Sequence, residues 1–237
     1  TAKIIFMVSA FFSVIAVVAI VLYILVSAVP AFAEIGFFKF LFGTTWFPNK
    51  DMYGILPMIV STFAVTVGSL LVGGIIGIFT AIFLVYFCPK KLKGFFNQVI
   101  VLLAGIPSII YGFFGMIVLV PLLAEIFHQD SGSGLLASSL ILGLMILPTV
   151  TSLTKNALES VPESYTEGSL AMGATKEQTI FKVILPAAKT GILSALTLGA
   201  GRAIGETMAV LMVCGSTPNF PSELFLPIRT LTVNIVS

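Results

Sequence analysis

The chain contains several apolar runs of twenty or more residues without a charged side chain, the first covering residues 4–29. A hydrocarbon slab about 30 Å thick selects helices of this length, because an α-helix rises only about 1.5 Å per residue. No water is present there to satisfy N–H and C=O groups, so each run must close its hydrogen bonds within its own helix. The expected fold is therefore all-α, a polytopic transmembrane helix bundle. Composition agrees, with 58% hydrophobic residues, 9% charged and a mean hydropathy of +1.13. The 21 glycines suit close helix–helix contact better than flexible linkers. A net charge of +2 gives no basis for a nucleic-acid partner.

Five spans are expected, at residues 4–29, 58–87, 95–127, 135–153 and 187–213, within one transmembrane domain covering residues 1–237. The first run is too long for the core of a signal peptide and is expected to remain as a helix. The chain begins at Thr1 rather than methionine, so a few residues are expected before it. Residues 30–57 form an aromatic connection, with Trp46, Tyr53 and several phenylalanines suited to headgroup level. In the second run Ser69, Gly73, Gly77 and Ala81 recur every four residues, a small-residue face for a helix of this chain or of a partner. Gly105-Ile106-Pro107-Ser108 interrupts the third, where a kink or a short entry helix is expected. Ser108, Tyr111, Gly112 and Gly115 then give a polar, glycine-lined face that could border a pathway or simply pack. Pro148 softly breaks the fourth run, and the tail after residue 215, with three prolines, lies outside or re-enters the membrane.

Lysine and arginine placement sets the orientation. Lys3, Lys90, Lys91, Lys93, Lys155, Lys176, Lys182 and Lys189 fall on one side, and Lys39, Lys50 and Arg229 on the other. By the positive-inside rule the amino terminus and residues 155–189 are cytoplasmic. Cys88 and Cys214 lie near opposite faces, and His128 is the single histidine. These are too few parts for a metal cluster or a histidine–cysteine catalytic pair, so no catalytic residue, metal or cofactor is expected.

Residues 155–189 form a polar island carrying Lys155, Glu159, Glu163, Glu167, Lys176, Glu177, Lys182 and Lys189. Pro162 followed by Glu163 suits a helix start, Gly173 punctuates the run, and Pro186 closes the second half. Leu158, Val161, Tyr165, Leu170 and Met172 give it an apolar side. Such a segment can dock on a soluble partner; the alternative is a loop lying on the bilayer surface.

Arg202 and Glu206 stand within the fifth run, in Gly-Arg-Ala-Ile-Gly-Glu-Thr. A charged side chain at such depth costs about 2.5–3.5 kcal/mol on insertion scales. A spacing of four puts both on one helical face, close enough to pair. One reading is an anion contact, the guanidinium fork matching phosphate oxygens and Glu206 holding it when empty. The other is an ion pair that knits the bundle together.

The island resembles the cytoplasmic loop of membrane subunits of ATP-binding-cassette importers, patterned E-A-A, three residues, G, nine residues, I-x-L-P. Glu167-Gly168-Ser169 stands at the first element, Gly173 at the glycine and Val183-Ile184-Leu185-Pro186 at the last. Gly168, Ser169 and Val183 depart from the pattern, all small or apolar. Residues 201–210 resemble phosphate-specific transport permeases, most of all the PstC type. Trp46-Phe47-Pro48 with Tyr53 to Pro57, Gly105 to Ser108 with Tyr111-Gly112, and Leu147-Pro148-Thr149 with the run ending at Pro162 agree with this.

The resemblance implies a type I importer permease fold of six spans, so a sixth is expected to be missing from this chain. It implies a substrate pathway at Arg202 and Glu206, and Ser108 and Tyr111, on the polar face of the third run, are expected to border it. It also implies ATPase coupling through Glu167, Gly168, Ser169 and Ala171, with Gly173, Ala174 and Pro186. The implied partners are a homologous PstA-type permease, a cytoplasmic ATPase dimer that binds ATP and magnesium, an external phosphate-binding protein, phosphate and membrane lipid. No G-x-x-x-x-G-K-[ST] loop occurs here, so this chain is not expected to bind ATP through one. The alternatives are a permease for sulfate or molybdate, an ion-coupled secondary carrier, an intramembrane enzyme acting on a lipid phosphate, and a scaffold.

Overall fold

The computed structural model describes residues 2–237 and divides into two compact units, one running to Leu56 and the other from Pro57 to Ser237. In the first, α1 spans Ala2–Ile35 and carries Pro30 inside it, so the helix runs past the boundary expected at residue 29. A proline deletes one backbone bond, and a long apolar helix retains the others on either side. The aromatic connection is more ordered than expected. α2 (Phe37–Phe42) follows, and then a two-residue-per-strand hairpin, β1 (Trp46–Phe47) and β2 (Met52–Tyr53). Trp46 meets Tyr53 edge-on at 5.9 Å, and Phe32 packs edge-on against Phe37 and Phe40, each at 5.5 Å.

The second unit is built around one helix. α3 covers Leu56–Phe87. α4 (Lys90–Gly105) and α5 (Ser108–Phe127) follow, separated by the break at Ile106-Pro107. The single span expected over residues 95–127 is thus split, and of the two helices α5 is the one long and apolar enough to cross a membrane. α6 then runs unbroken over Leu135–Glu159, straight through Pro148, and more than half of its residues are buried. It therefore takes in the first residues of the polar island, Lys155 to Glu159, as the last turn of a span.

After α6 come α7 (Glu163–Ala171), α8 (Lys176–Ala187), α9 (Lys189–Gly205) and α10 (Met208–Val213). A bend of 68° separates α8 from α9. The fifth run is thus not the continuous helix expected over residues 187–213. Among the described residues, four helices are long and apolar enough to cross a membrane, five with the bent pair. The tail folds back: Ile228 and Val233 are fully buried, and α11 (Leu231–Val236) starts at a Thr230 cap.

The small-residue face of α3 packs inside this chain, against α6. A Cβ on Gly73 would lie 2.1 Å from the Gly143 carbonyl oxygen, and one on Gly77 3.1 Å from the Val150 side chain. Thr151 donates a hydrogen bond to the Gly77 carbonyl at 3.2 Å across the same contact. Gly112 and Gly115 on α5 likewise meet α10 and α6, through Ala209, Val213 and Ile141.

Gly73→Val is therefore expected to lose about 1–3 kcal/mol of stability or to prevent assembly of the bundle. Gly94→Ala, on α4 with open space before an added methyl, should be neutral or stabilising by up to about 1 kcal/mol. Thermal unfolding in detergent micelles checks both.

Candidate functional site at the broken fifth span

The fifth span breaks where its charges lie. α9 ends at Gly205, and Glu206 leaves the helix with ψ 127°. The expected Arg202–Glu206 pair does not form, because the Glu206 carboxylate turns forward and Oε1 accepts a hydrogen bond from the Ala209 N–H at 3.2 Å. It thereby caps the start of α10, whose first N–H groups have no helical partner. Arg202 turns to another helix, and its Nη1 donates to Thr149 Oγ1 on α6 at 3.0 Å. A guanidinium carries five donors, and this bond uses one. Arg202 and Glu206 are both half-buried, and a Cβ on Gly201 or Gly205 would meet nothing within 4 Å. A cation is thus held at one corner, on an open, glycine-lined face.

The break is braced from the tail. Thr232 Oγ1 donates to the Glu206 carbonyl at 3.1 Å, and Thr62 on α3 accepts the Leu231 N–H at 3.0 Å. Irregular backbone inside a membrane protein is tolerated where protein or a cavity supplies such partners. Thr149 and Thr232 were absent from the residues expected at the site. Thr149 had a signal, a hydroxyl directly after the proline of an apolar run; Thr232 had none.

Tyr111 is buried and donates its hydroxyl to the Leu103 carbonyl at 2.8 Å, spanning the break between α4 and α5. It shares a core cluster with Ala203 and Ala209, the neighbours of the charged break. Ser108 is half-buried in the first turn of α5. The four expected pathway residues therefore do not converge by direct contact: Arg202 meets α6, Glu206 meets α10 and Tyr111 meets α4.

The island is the helix–glycine–helix that its spacing predicts. Gly173 has φ +84°, and its N–H bonds to the Leu170 carbonyl at 2.9 Å while the Ala174 N–H reaches Ser169 at 3.3 Å. These two bonds make a Schellman ending, which needs a left-handed residue at the Gly173 position. Thr175 and Gln178 then form a capping box that starts α8. Ser169 is buried, its hydroxyl 2.9 Å from that of Thr179, so it clasps α7 to α8. Glu167, Gly168, Ala171, Gly173 and Pro186 are exposed, and Ala174 is half-buried. Beside them Tyr165, Leu170 and Met172 are exposed, Met172 at 84%. On the inner side Ile180, Ile184 and Ala188 pack with Leu158 of α6 and with Ala81 and Ile82 of α3. Lys176 Nζ donates to the Tyr86 carbonyl at 2.6 Å and lies 5.2 Å from the Phe87 ring centre.

Residues 73–235 match the family of binding-protein-dependent transport system inner membrane components. The chain belongs to that family. It is 45% identical over 83% of its length to a probable ABC transporter permease protein, YqgH, of Bacillus subtilis, covering 64% of that protein. It is 36% identical to the phosphate transport system permease protein PstC of Mesorhizobium japonicum and 32% identical to that of Pasteurella multocida. Those matches cover 84% and 87% of this chain, and 67% and 70% of the relatives. The chain thus spans about two thirds of the length of the curated relatives it matches. Among solved structures, inward-facing forms of the MetNI methionine ABC transporter superpose with TM-scores of 0.54 and 0.58, at 28% and 26% identity. These cover 64% and 70% of this chain and 69% and 76% of the other. The chain is a multi-pass membrane protein with this family's permease fold.

Tyr111→Phe is expected to cost about 0.5–1.5 kcal/mol, the worth of one hydrogen bond, without loss of the fold. Gly173→Ala should cost about 1 kcal/mol or more, since its φ is unfavourable for any residue with a Cβ. Chemical denaturation of the purified subunit measures both.

Proposed function

We propose that this chain is a membrane-spanning permease subunit of an ATP-driven importer, and that it translocates inorganic phosphate. The observation that carries this is the Arg202 guanidinium, held at one corner by Thr149 beside a broken, glycine-lined helix. A planar fork of donors in a low-dielectric setting suits a tetrahedral oxyanion. The names of the PstC relatives favour phosphate among such anions. Glu206, turned away to cap α10, leaves the cation free of a carboxylate. Ser108 and Tyr111 shape the adjoining break.

In this reading the amino terminus and the island lie in the cytoplasm, a placement that the lysine distribution supports. The exposed rim of α7 and α8, with Glu167, Gly168, Ala171, Gly173, Ala174 and Pro186, docks on an ATPase dimer. That dimer, and not this chain, binds ATP and magnesium. Ser169 acts from inside by keeping the two helices together. The buried face of α8 carries movement into α3 and α6, and α6 holds Thr149, the partner of Arg202. A homologous PstA-type subunit completes the pathway, and an external phosphate-binding protein delivers the anion.

Arg202→Gln is expected to reduce ATP-driven uptake of labelled phosphate to background in liposomes holding the assembled transporter, while the subunits still co-purify. Arg202→Lys keeps the charge but not the fork and should lose at least about tenfold. Parental uptake in either variant refutes the anion contact. Gly173→Glu should leave ATP hydrolysis running without uptake, measured as phosphate released against phosphate accumulated.

A further inference from the structure

A second cation lies along α6 from Arg202, in a setting of its own. Lys155 is half-buried and its Nζ donates to Asn97 Oδ1 on α4 at 3.0 Å. The carboxylate placed to neutralise it is Glu159, one helical turn on. Glu159 instead pairs with Lys93 at 3.2 Å, the one ion pair among the described residues. Lys155 therefore has no carboxylate partner and lies beside a cleft of about 320 Å³ between α4 and α6, lined by Asn97, Thr151, Ser152, Lys155 and Asn156 with Ile100 and Val101 as its apolar wall.

The cleft is aligned with the Arg202 contact. Thr149, Ser152 and Asn156 follow at spacings of three and four, so they occupy one face of α6. Thr149 holds Arg202, and Ser152 and Asn156 line the Lys155 cleft. Six residues of helix separate Thr149 from Lys155, about 9 Å along the axis. Thr149 is half-buried and Ser152 and Asn156 are exposed, so this face of α6 carries polar side chains from the Arg202 contact to the Lys155 cleft. A lysine offers three donors in a rotatable, strongly hydrated head, which binds an anion less rigidly than the guanidinium fork.

We infer that the Lys155 cleft is a second oxyanion site, the one an anion occupies after leaving Arg202 and before release from the island end of α6. This rests on the phosphate-importer reading. The ligand is a tetrahedral oxyanion with phosphate-type oxygens, taken from the transported pool. A lipid headgroup presents the same oxygens, and lipid composition separates the two sources.

The test uses the assembled transporter in liposomes, with Ser152→Cys as reporter in a Cys88→Ser background and an uncharged maleimide as label. Inorganic phosphate on the island side is expected to slow labelling. Lys155→Gln should raise the phosphate concentration needed about tenfold, and Lys155→Arg should restore it. The protection should persist in Arg202→Gln, because the two sites are separate, and in liposomes of phosphatidylcholine alone. Uptake that depends on Arg202 with no phosphate effect on labelling, or with equal protection in Lys155→Gln, overturns the second site and leaves the importer reading intact. Slowing by phosphatidylglycerol with no further effect of phosphate assigns the cleft to lipid and also overturns it. Absence of phosphate uptake by the parental complex removes both readings.

Discussion

The backbone contact between α3 and α6 sets the spacing of the larger unit. At Gly73 and Gly143 neither helix carries a side chain, so their main chains approach to a distance that a single methyl would forbid. In a membrane, lipid tails are as apolar as leucine, and association depends on close van der Waals contact and a few hydrogen bonds rather than on exclusion of water. The Thr151 bond to the Gly77 carbonyl lies in the same seam. α6 then serves as the wall against which α9 and α10 pack, with Ile141, Met145, Ile146 and Val150 buried between them. A shift of α6 would therefore be felt by every helix of this unit that reaches it.

That arrangement connects a surface segment to the helix that holds the half-buried Arg202. The inner face of α8 packs on the ends of α3 and α6 through Ile180, Ile184 and Leu158, while α7 and the turn after it expose Tyr165, Leu170 and Met172. The clasp between Ser169 and Thr179 and the Schellman turn at Gly173 make α7 and α8 one stiff piece. The rim is tied to α6 through this packing, and α6 holds Arg202 by a single hydroxyl. A hydrogen bond to a charged group is worth about 1.5–3 kcal/mol net.

Much of this was legible in the residues. The charge-free runs gave the class of fold, and the spacing around Gly173 gave the helix–glycine–helix. The four-residue recurrence from Ser69 to Ala81 gave a packing face, though not its partner: periodicity describes one helix, and the opposing surface belongs to a sequence about seventy positions away. The Arg202–Glu206 spacing misled for a related reason. It presumes a helix through both residues, and the sequence Ala-Ile-Gly-Glu-Thr does not announce that the helix stops at Gly205. What stops it is tertiary: α10 needs a cap, Thr232 offers a hydroxyl to the Glu206 carbonyl, and Thr149 satisfies Arg202 from another element.

The amino-acid sequence by itself determined that this chain lives in a bilayer, which ends of its helices are charged, and where its exposed loop turns. These follow from local properties, hydropathy, capping and backbone preference, that neighbouring residues fix among themselves. Only the tertiary structure decided which hydroxyl holds the half-buried arginine, which carboxylate stays away from it, and that Lys155 is left without a carboxylate because Glu159 turns to Lys93. Those outcomes depend on which of several competing partners lies within about 3 Å, and that is set by how distant helices cross.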